Sequence, residues 1–125
     1  GIIINKHQCS SITSTVRKVS CGATEIAEIF HVSNLINCIK YLNEQAIYVY
    51  GTSEYSQNDL FKENLAQSLA FVIGSEGKGI RTKTLEACNK IININANKIF
   101  NSLNVSVASG VLLFEAARQK NQKNA

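Results

Sequence analysis

Proline, methionine and tryptophan are absent from all 125 residues. Position 1 is glycine, so residue 1 is not a retained translation start, and the chain is expected to be processed or part of something longer. Cysteine is sparse. Cys9, Cys21, Cys38 and Cys88 are separated by 12, 17 and 50 residues, with no C-x-x-C, and His7 and His31 sit beside no cysteine pair. That spacing does not make a zinc ligand set, and no metal is expected. Reduced thiols packed as small hydrophobes are the plainer reading. Long apolar runs are missing too: a stretch such as Val111–Phe114 is far from the ~20 apolar residues of a membrane helix. No charged-then-apolar leader with a small-residue cleavage site is visible, which points to the cytoplasm.

What is present describes a folded domain. Hydrophobic residues make up 45% of the chain, which excludes a disordered tail, a collagen-like chain or a mucin-like stalk. The length fits one domain and not two. Lys and Arg number 13 against 9 Asp and Glu, a net charge of +4. The cations are scattered, with a thin cluster at Arg118, Lys120 and Lys123. That cluster reads either as a solvated tail or as part of an RNA-facing surface.

Strand and helix signals alternate along the chain. Ile2–Ile4 is a β-branched run that suggests a buried strand. A helix over about 12–21 would end at Gly22, and Glu25–Val32 alternates like a short strand. Asn34 can cap a helix whose Leu35, Ile36, Ile39 and Leu42 share one face. Ala46–Tyr50 reads as a strand closed by Gly51. Thr52–Asn64 is a polar loop, with a turn of helix near Asp59. Leu69–Ile73 lacks alternation, which predicts burial on both faces. After a glycine-rich loop, Thr82–Cys88 reads as a short helix, Ile91–Ile94 as a strand and Asn95–Asn101 as a polar loop. The last helix runs from Leu103 to about Gln119, with Ser102 as its cap. Its apolar residues cover nearly the whole circumference, which predicts burial in the domain or in a subunit interface. The whole is the pattern of an α/β domain with a mainly parallel sheet and helices on both faces.

The loop Gly74–Ser75–Glu76–Gly77–Lys78–Gly79 follows a strand and precedes a helix, where α/β sheets bind ligands. Two standard phosphate motifs fail on it. A P-loop needs Lys after the second glycine, and Ile80 stands there. A dinucleotide fingerprint begun at Gly77 would end on Thr82 instead of glycine. The glycines still allow positive φ and close approach to a flat ligand. Spacing alone leaves Glu76 open between capping the following helix and holding a ligand.

Two longer stretches are more specific. Phe71–Val–Ile–Gly–Ser–Glu–Gly–Lys–Gly–Ile80 resembles the second motif of the SpoU/TrmH family of RNA ribose 2′-O-methyltransferases, part of the SPOUT superfamily. Asn101–Ser–Leu–Asn–Val–Ser–Val–Ala–Ser–Gly–Val–Leu–Leu–Phe–Glu115 resembles the third. Lys18–Ala23 and Val32–Leu35 match weaker stretches, so the likeness covers Gly1 to about Gln119. It is nearest to the branch that methylates a guanosine ribose in bacterial 23S ribosomal RNA. The resemblance implies a SPOUT-type α/β fold with a C-terminal trefoil knot, S-adenosyl-L-methionine as cofactor, ribosomal or transfer RNA as partner with ribosomal RNA the favoured one, and a homodimer. It implies that Thr52, Gly74, Ile94 and Leu103 bind the cofactor. Glu76, Ser102 and Asn104 match the family's catalytic residues.

Three departures stand beside the likeness. The family's first motif, N-x-G-x-x-x-R, and the strand–helix unit that carries it are not in residues 1–125. Asn95 stands where proline is usual, and Lys98 where a small residue is common. The small RNA-binding domain often found ahead of the catalytic domain is also missing from these residues. The alternative reading is a truncated, inactive relative that keeps a cofactor-binding or dimerisation surface. An unrelated nucleotide-binding α/β domain is disfavoured by the two failed motifs.

Overall fold

A computed structural model describes residues 1–6, 27–75, 78–94 and 104–125. The chain divides into two compact units, Gly1–Cys38 and Ile39–Ala125. The helix expected over 12–21 and the loop 95–101 lie outside the described residues.

In the first unit, β1 (Ile2–Asn5) pairs in parallel with β2 (Ile29–Val32), Ile2 opposite Ile29 and Asn5 opposite Val32. The ladder is extended at both ends, by Ile2 N–H to Glu28 O and Lys6 N–H to Val32 O. The expectation of a buried first strand is corrected: Ile2 and Ile3 are exposed. Among the described residues β2 is the only strand paired with β1, so apolar side chains there find little cover.

Helix α1 (Leu35–Glu44) starts where the sequence placed it. Asn34 Oδ1 accepts from Asn37 N–H at 3.0 Å, satisfying an orphan amide of the first turn. The helix stops by a Schellman arrangement: Ile47 N–H reaches Leu42 O and Ala46 N–H reaches Asn43 O. Ala46 takes the left-handed position, φ 59°, usually given to glycine. This turn consumes Ala46 and Ile47. The next strand, β3, is therefore Tyr48–Thr52, two residues later than the apolar run suggests, and Gly51 lies inside it instead of closing it.

The second unit is built on a three-stranded parallel sheet in the order β4–β3–β5, with β4 Leu69–Val72 and β5 Lys90–Ile92. Past β5, Asp59 makes a parallel bridge with Asn93, adding a short edge segment. The two faces of β3 are packed differently. Val49 and Gly51 face α2 (Thr82–Ala87): a Cβ on Gly51 would meet Leu85 Cδ2 at 3.0 Å and Cys88 Sγ at 3.1 Å, so the missing side chain lets helix and sheet approach. Tyr50, on the other face, joins Leu60, Leu65, Ile92, Leu112 and Ala116 in one buried cluster. Leu112 and Ala116 belong to the last helix, α3 (Val105–Lys123). Burying a leucine such as Leu112 completely is worth about 2 kcal/mol.

β4 departs from expectation. All four of its residues are only half-buried, because among the described residues it has a neighbour on one side alone. The two described thiols, Cys38 and Cys88, are free and half-buried. α3 also departs. Its apolar circumference is not uniformly covered: Ala108, Leu112 and Ala116 are buried, while Val107, Leu113 and Phe114 are exposed, Phe114 at 80%. No helix among the described residues is long and apolar enough to cross a membrane.

Candidate functional site

Parallel pairing brings the carboxyl ends of β3, β4 and β5 to one edge of the sheet, and the chain leaves each strand there by a distinct device. At the end of β3, Thr52 is opposite Ile92, and its Oγ1 donates to Val72 O at 3.1 Å. This ties the exits of β3 and β4 together. Beyond it, Ser53 N–H donates to Ile92 O.

After β4 the glycine loop folds back on itself. Gly79 N–H donates to Ser75 O at 3.0 Å, and the two residues form an antiparallel bridge. Gly79 has φ +66°, and a Cβ there would meet nothing within 4 Å. Gly74 has the opposite constraint. A Cβ there would sit 2.4 Å from Gly79 C and 2.7 Å from Ile80 N, a clash with backbone that cannot rotate away. Gly74 is thus needed for close approach of two chain segments, and Gly79 for its dihedral angle.

After β5, Asn93 and Ile94 lead toward α3. Ile94 is half-buried against the Tyr50–Leu112 cluster. Asn93 is held from several directions: its N–H donates to Asn58 O, its carbonyl accepts from Leu60 N–H, and its Nδ2 donates to Glu54 O and Ser56 O. Ile91 O accepts from Ser56 Oγ and Asn58 Nδ2. The polar run after β3 is therefore stitched along the edge of β5. Sequence reading missed Asn93. Its one signal is a polar residue inside an otherwise apolar run at a strand's end.

Helix α3 begins beside these loops in sequence. Its cap is Asn104, whose Oδ1 accepts from Ser106 N–H at 2.9 Å. This corrects the expectation that Ser102 caps it. Further along, Gln119 joins the helix to the segment before β4. Its Oε1 accepts from Leu65 N–H at 2.7 Å, and its Nε2 donates to Glu63 O and Glu115 Oε1. Glu115 is buried and also receives a two-pronged bond from Arg118. The Arg118 guanidinium, then the Gln119 amide, hold its carboxyl down to about 2. Burial pushes the Cys88 thiol up to about 11, so it remains protonated at neutral pH.

Of the residues singled out from sequence, Thr52, Gly74 and Ile94 stand at or just past the carboxyl ends of three adjacent strands. Asn104 stands at the head of α3. Glu76, Ser102 and Leu103 lie outside the described residues.

The sequence pattern of the "SpoU rRNA Methylase family" matches residues 1–114. The chain belongs to that family. Two curated family members of high similarity are the 23S rRNA (guanosine-2′-O-)-methyltransferases RlmB of Vibrio vulnificus and Escherichia coli. The first is 43% identical over 120 residues, which cover 96% of this chain and 49% of the relative. The second is 38% identical over 120 residues, with the same two coverages, 96% and 49%. The chain thus spans about half the length of the curated relatives it matches. Among solved structures, the SpoU methyltransferase AviRb from Streptomyces viridochromogenes, in complex with AdoMet, superposes with a TM-score of 0.85. The match covers 96% of this chain and 49% of that one at 22% identity. The A. aeolicus TrmH/SpoU tRNA modifying enzyme gives a TM-score of 0.81 over 98% of this chain and 64% of its own, also at 22% identity. At such identities the structures share the parallel α/β fold of SpoU enzymes with this chain.

Proposed function

We propose that residues 1–125 are catalytic-domain sequence of an S-adenosyl-L-methionine-dependent methyltransferase that acts on a ribose 2′-hydroxyl of ribosomal RNA in the cytoplasm. The observation that carries this is the meeting of three strand exits, at Thr52, Gly74 and Ile94, in a chain of the SpoU family. In this reading the cofactor lies along this edge. Gly74 lets the turn close against Gly79, which is exposed beside the strand exits. In this reading the backbones of Gly74, Ile94 and Leu103 hold the cofactor together with Thr52, and no metal takes part.

When bound, S-adenosylmethionine supplies a methyl group on a sulfonium, ready for direct transfer. The protein's part is alignment of acceptor and donor, and assistance in removing the hydroxyl proton. Glu76, Ser102 and Asn104 take the catalytic positions. Asn104 Oδ1 caps α3, which sets this side chain at the head of the helix. The trefoil knot belongs to this reading as a property of the family's fold. The exposed Val107, Leu113 and Phe114 on α3 support a homodimer, because a second copy would cover them.

Calorimetric titration of the 125-residue chain with S-adenosylmethionine tests the proposal. Micromolar binding without methyl transfer is expected, since no arginine of the family's first motif is among these residues. A folded chain with no binding would favour the inactive relative. Robust turnover by the chain alone would show that methyl transfer does not need the first motif.

A further inference from the structure

The run that follows β3 holds one side chain in an unusual way. Tyr55 is 83% exposed, the most open of the large apolar side chains among the described residues. A single exposed tyrosine needs no explanation. The backbone on either side of it does. Asn93 Nδ2 donates to both flanking carbonyls, Glu54 O at 3.2 Å and Ser56 O at 3.3 Å. Tyr55 N–H donates to Ser53 Oγ at 3.2 Å, and Ser56 Oγ donates to Ile91 O at 2.7 Å. One side-chain amide past the end of β5 thus grips the chain just before and just after the ring. With the backbone fixed, the ring keeps only its two side-chain torsions. An aromatic ring set out in water on a fixed backbone is prepared for a flat partner, because little ordering remains to be done when the partner arrives.

Position and charge narrow that partner. Tyr55 lies three residues past Thr52, on the stretch that leaves the carboxyl end of β3. Residues 53–60 carry Glu54 and Asp59 and no cation. Such a stretch repels a phosphate backbone, whereas the face of a base is uncharged and stacks on an aromatic ring. The Glu54 carboxylate, by hydrogen bonding and then by its charge, pushes the Tyr55 phenol up from its usual range, so the ring is neutral as well. We propose that Tyr55 is a stacking platform for an unpaired base of the RNA substrate, at the edge where the strand exits meet. This rests on the reading of the chain as an RNA methyltransferase, in which the acceptor ribose must come to that edge and bring neighbouring bases with it. Stacking there orients a splayed-out nucleotide without reading its sequence.

The test uses the full-length protein that contains this chain and a fragment of large-subunit ribosomal RNA. Tyr55→Ala is compared with Tyr55→Phe, which keeps the ring. A second control is Tyr41→Ala, which removes a 59% exposed tyrosine from α1, the helix that feeds the amino end of β3. Tyr55→Ala is expected to raise Kd and KM for RNA on the order of tenfold, with the thermal midpoint and the affinity for S-adenosylmethionine unchanged. The slope of log binding constant against log salt should stay the same, because stacking releases no counterions. Tyr55→Phe and Tyr41→Ala should behave as the parent protein. Unchanged RNA binding by Tyr55→Ala, in an enzyme that methylates RNA, would overturn the platform and leave the reading intact. An equal loss in Tyr55→Phe would also overturn it, since the effect would belong to the hydroxyl, and an equal loss in Tyr41→Ala would deny that place matters. A lower salt slope would assign Tyr55 to phosphate contact instead, weaker S-adenosylmethionine binding would assign it to the cofactor, and a changed sedimentation coefficient would assign it to a second copy of this chain. RNA binding that depends on the Tyr55 ring, in a protein that transfers no methyl group, would sustain the platform and overturn the reading. Absence of RNA binding would overturn both.

Discussion

Two described residues enter the left-handed region of backbone space, and they do so at opposite ends of the sheet. Ala46 has φ 59° in the turn that feeds the amino end of β3. Gly79 has φ 66° in the turn that leaves the carboxyl end of β4. The angles are nearly equal and the residues are not. At Ala46 the turn needs only to stop a helix, and two backbone hydrogen bonds with the Leu42 and Asn43 carbonyls outweigh the cost of a Cβ. At Gly79 the chain must also lie against Gly74, which has no room for any side chain. Strain at a connecting turn is tolerated, whereas at the candidate site both steric and dihedral freedom are kept. The glycines there answer two separate demands, crowding at 74 and φ at 79.

Substitutions can break that distinction. Gly74→Ala should have the largest effect. Its Cβ meets immovable backbone, so a loss of about 3 kcal/mol or opening of the turn is expected, with at least tenfold weaker binding of S-adenosylmethionine. Chemical denaturation and calorimetry read both, and unchanged affinity would remove Gly74 from the site. Gly79→Ala should cost less, about 1–2 kcal/mol, because its Cβ meets nothing and only the dihedral angle is penalised. A loss as large as that of Gly74→Ala would mean that space at 79 is not open. The smallest effect should be a gain: Ala46→Gly relieves the same dihedral cost and is expected to add about 0.5–1 kcal/mol, less than the full penalty because glycine makes the unfolded chain more flexible. A destabilised variant would show that the Ala46 methyl contributes more than its dihedral angle costs.

Much of the fold was legible where one residue decides one event. Asn34 announces α1, Asp59 caps the short 3-10 turn Leu60–Lys62, and the glycine loop stands between strand and helix as read. The errors share a cause. Apolar runs report burial averaged over neighbours, and they fail where the neighbours are few. Ile2, Ile3, Leu113 and Phe114 look like core residues in sequence and are exposed. The start of β3 was misplaced because a Schellman turn ending in alanine leaves no glycine to read. Of the site, the sequence motifs supplied Thr52, Gly74, Ile94 and Asn104, and the structure places the first three at the expected strand ends. The lattice around Asn93 and the Gln119 contacts were invisible, since they join residues 35–56 positions apart through ordinary polar side chains.

Those Gln119 contacts have a mechanical consequence. Asn104 and Gln119 lie 15 residues apart on one helix, about 22 Å at 1.5 Å per residue. Apolar packing of Leu112 and Ala116 places the helix by the fit of its side chains, and a polar bond adds a tie of fixed direction and length. Gln119 fastens one end to the backbone of Glu63 and Leu65, so α3 behaves as a ruler with a fixed zero. The far graduation is Asn104, and its distance from the strand exits is then set at a point well away from them.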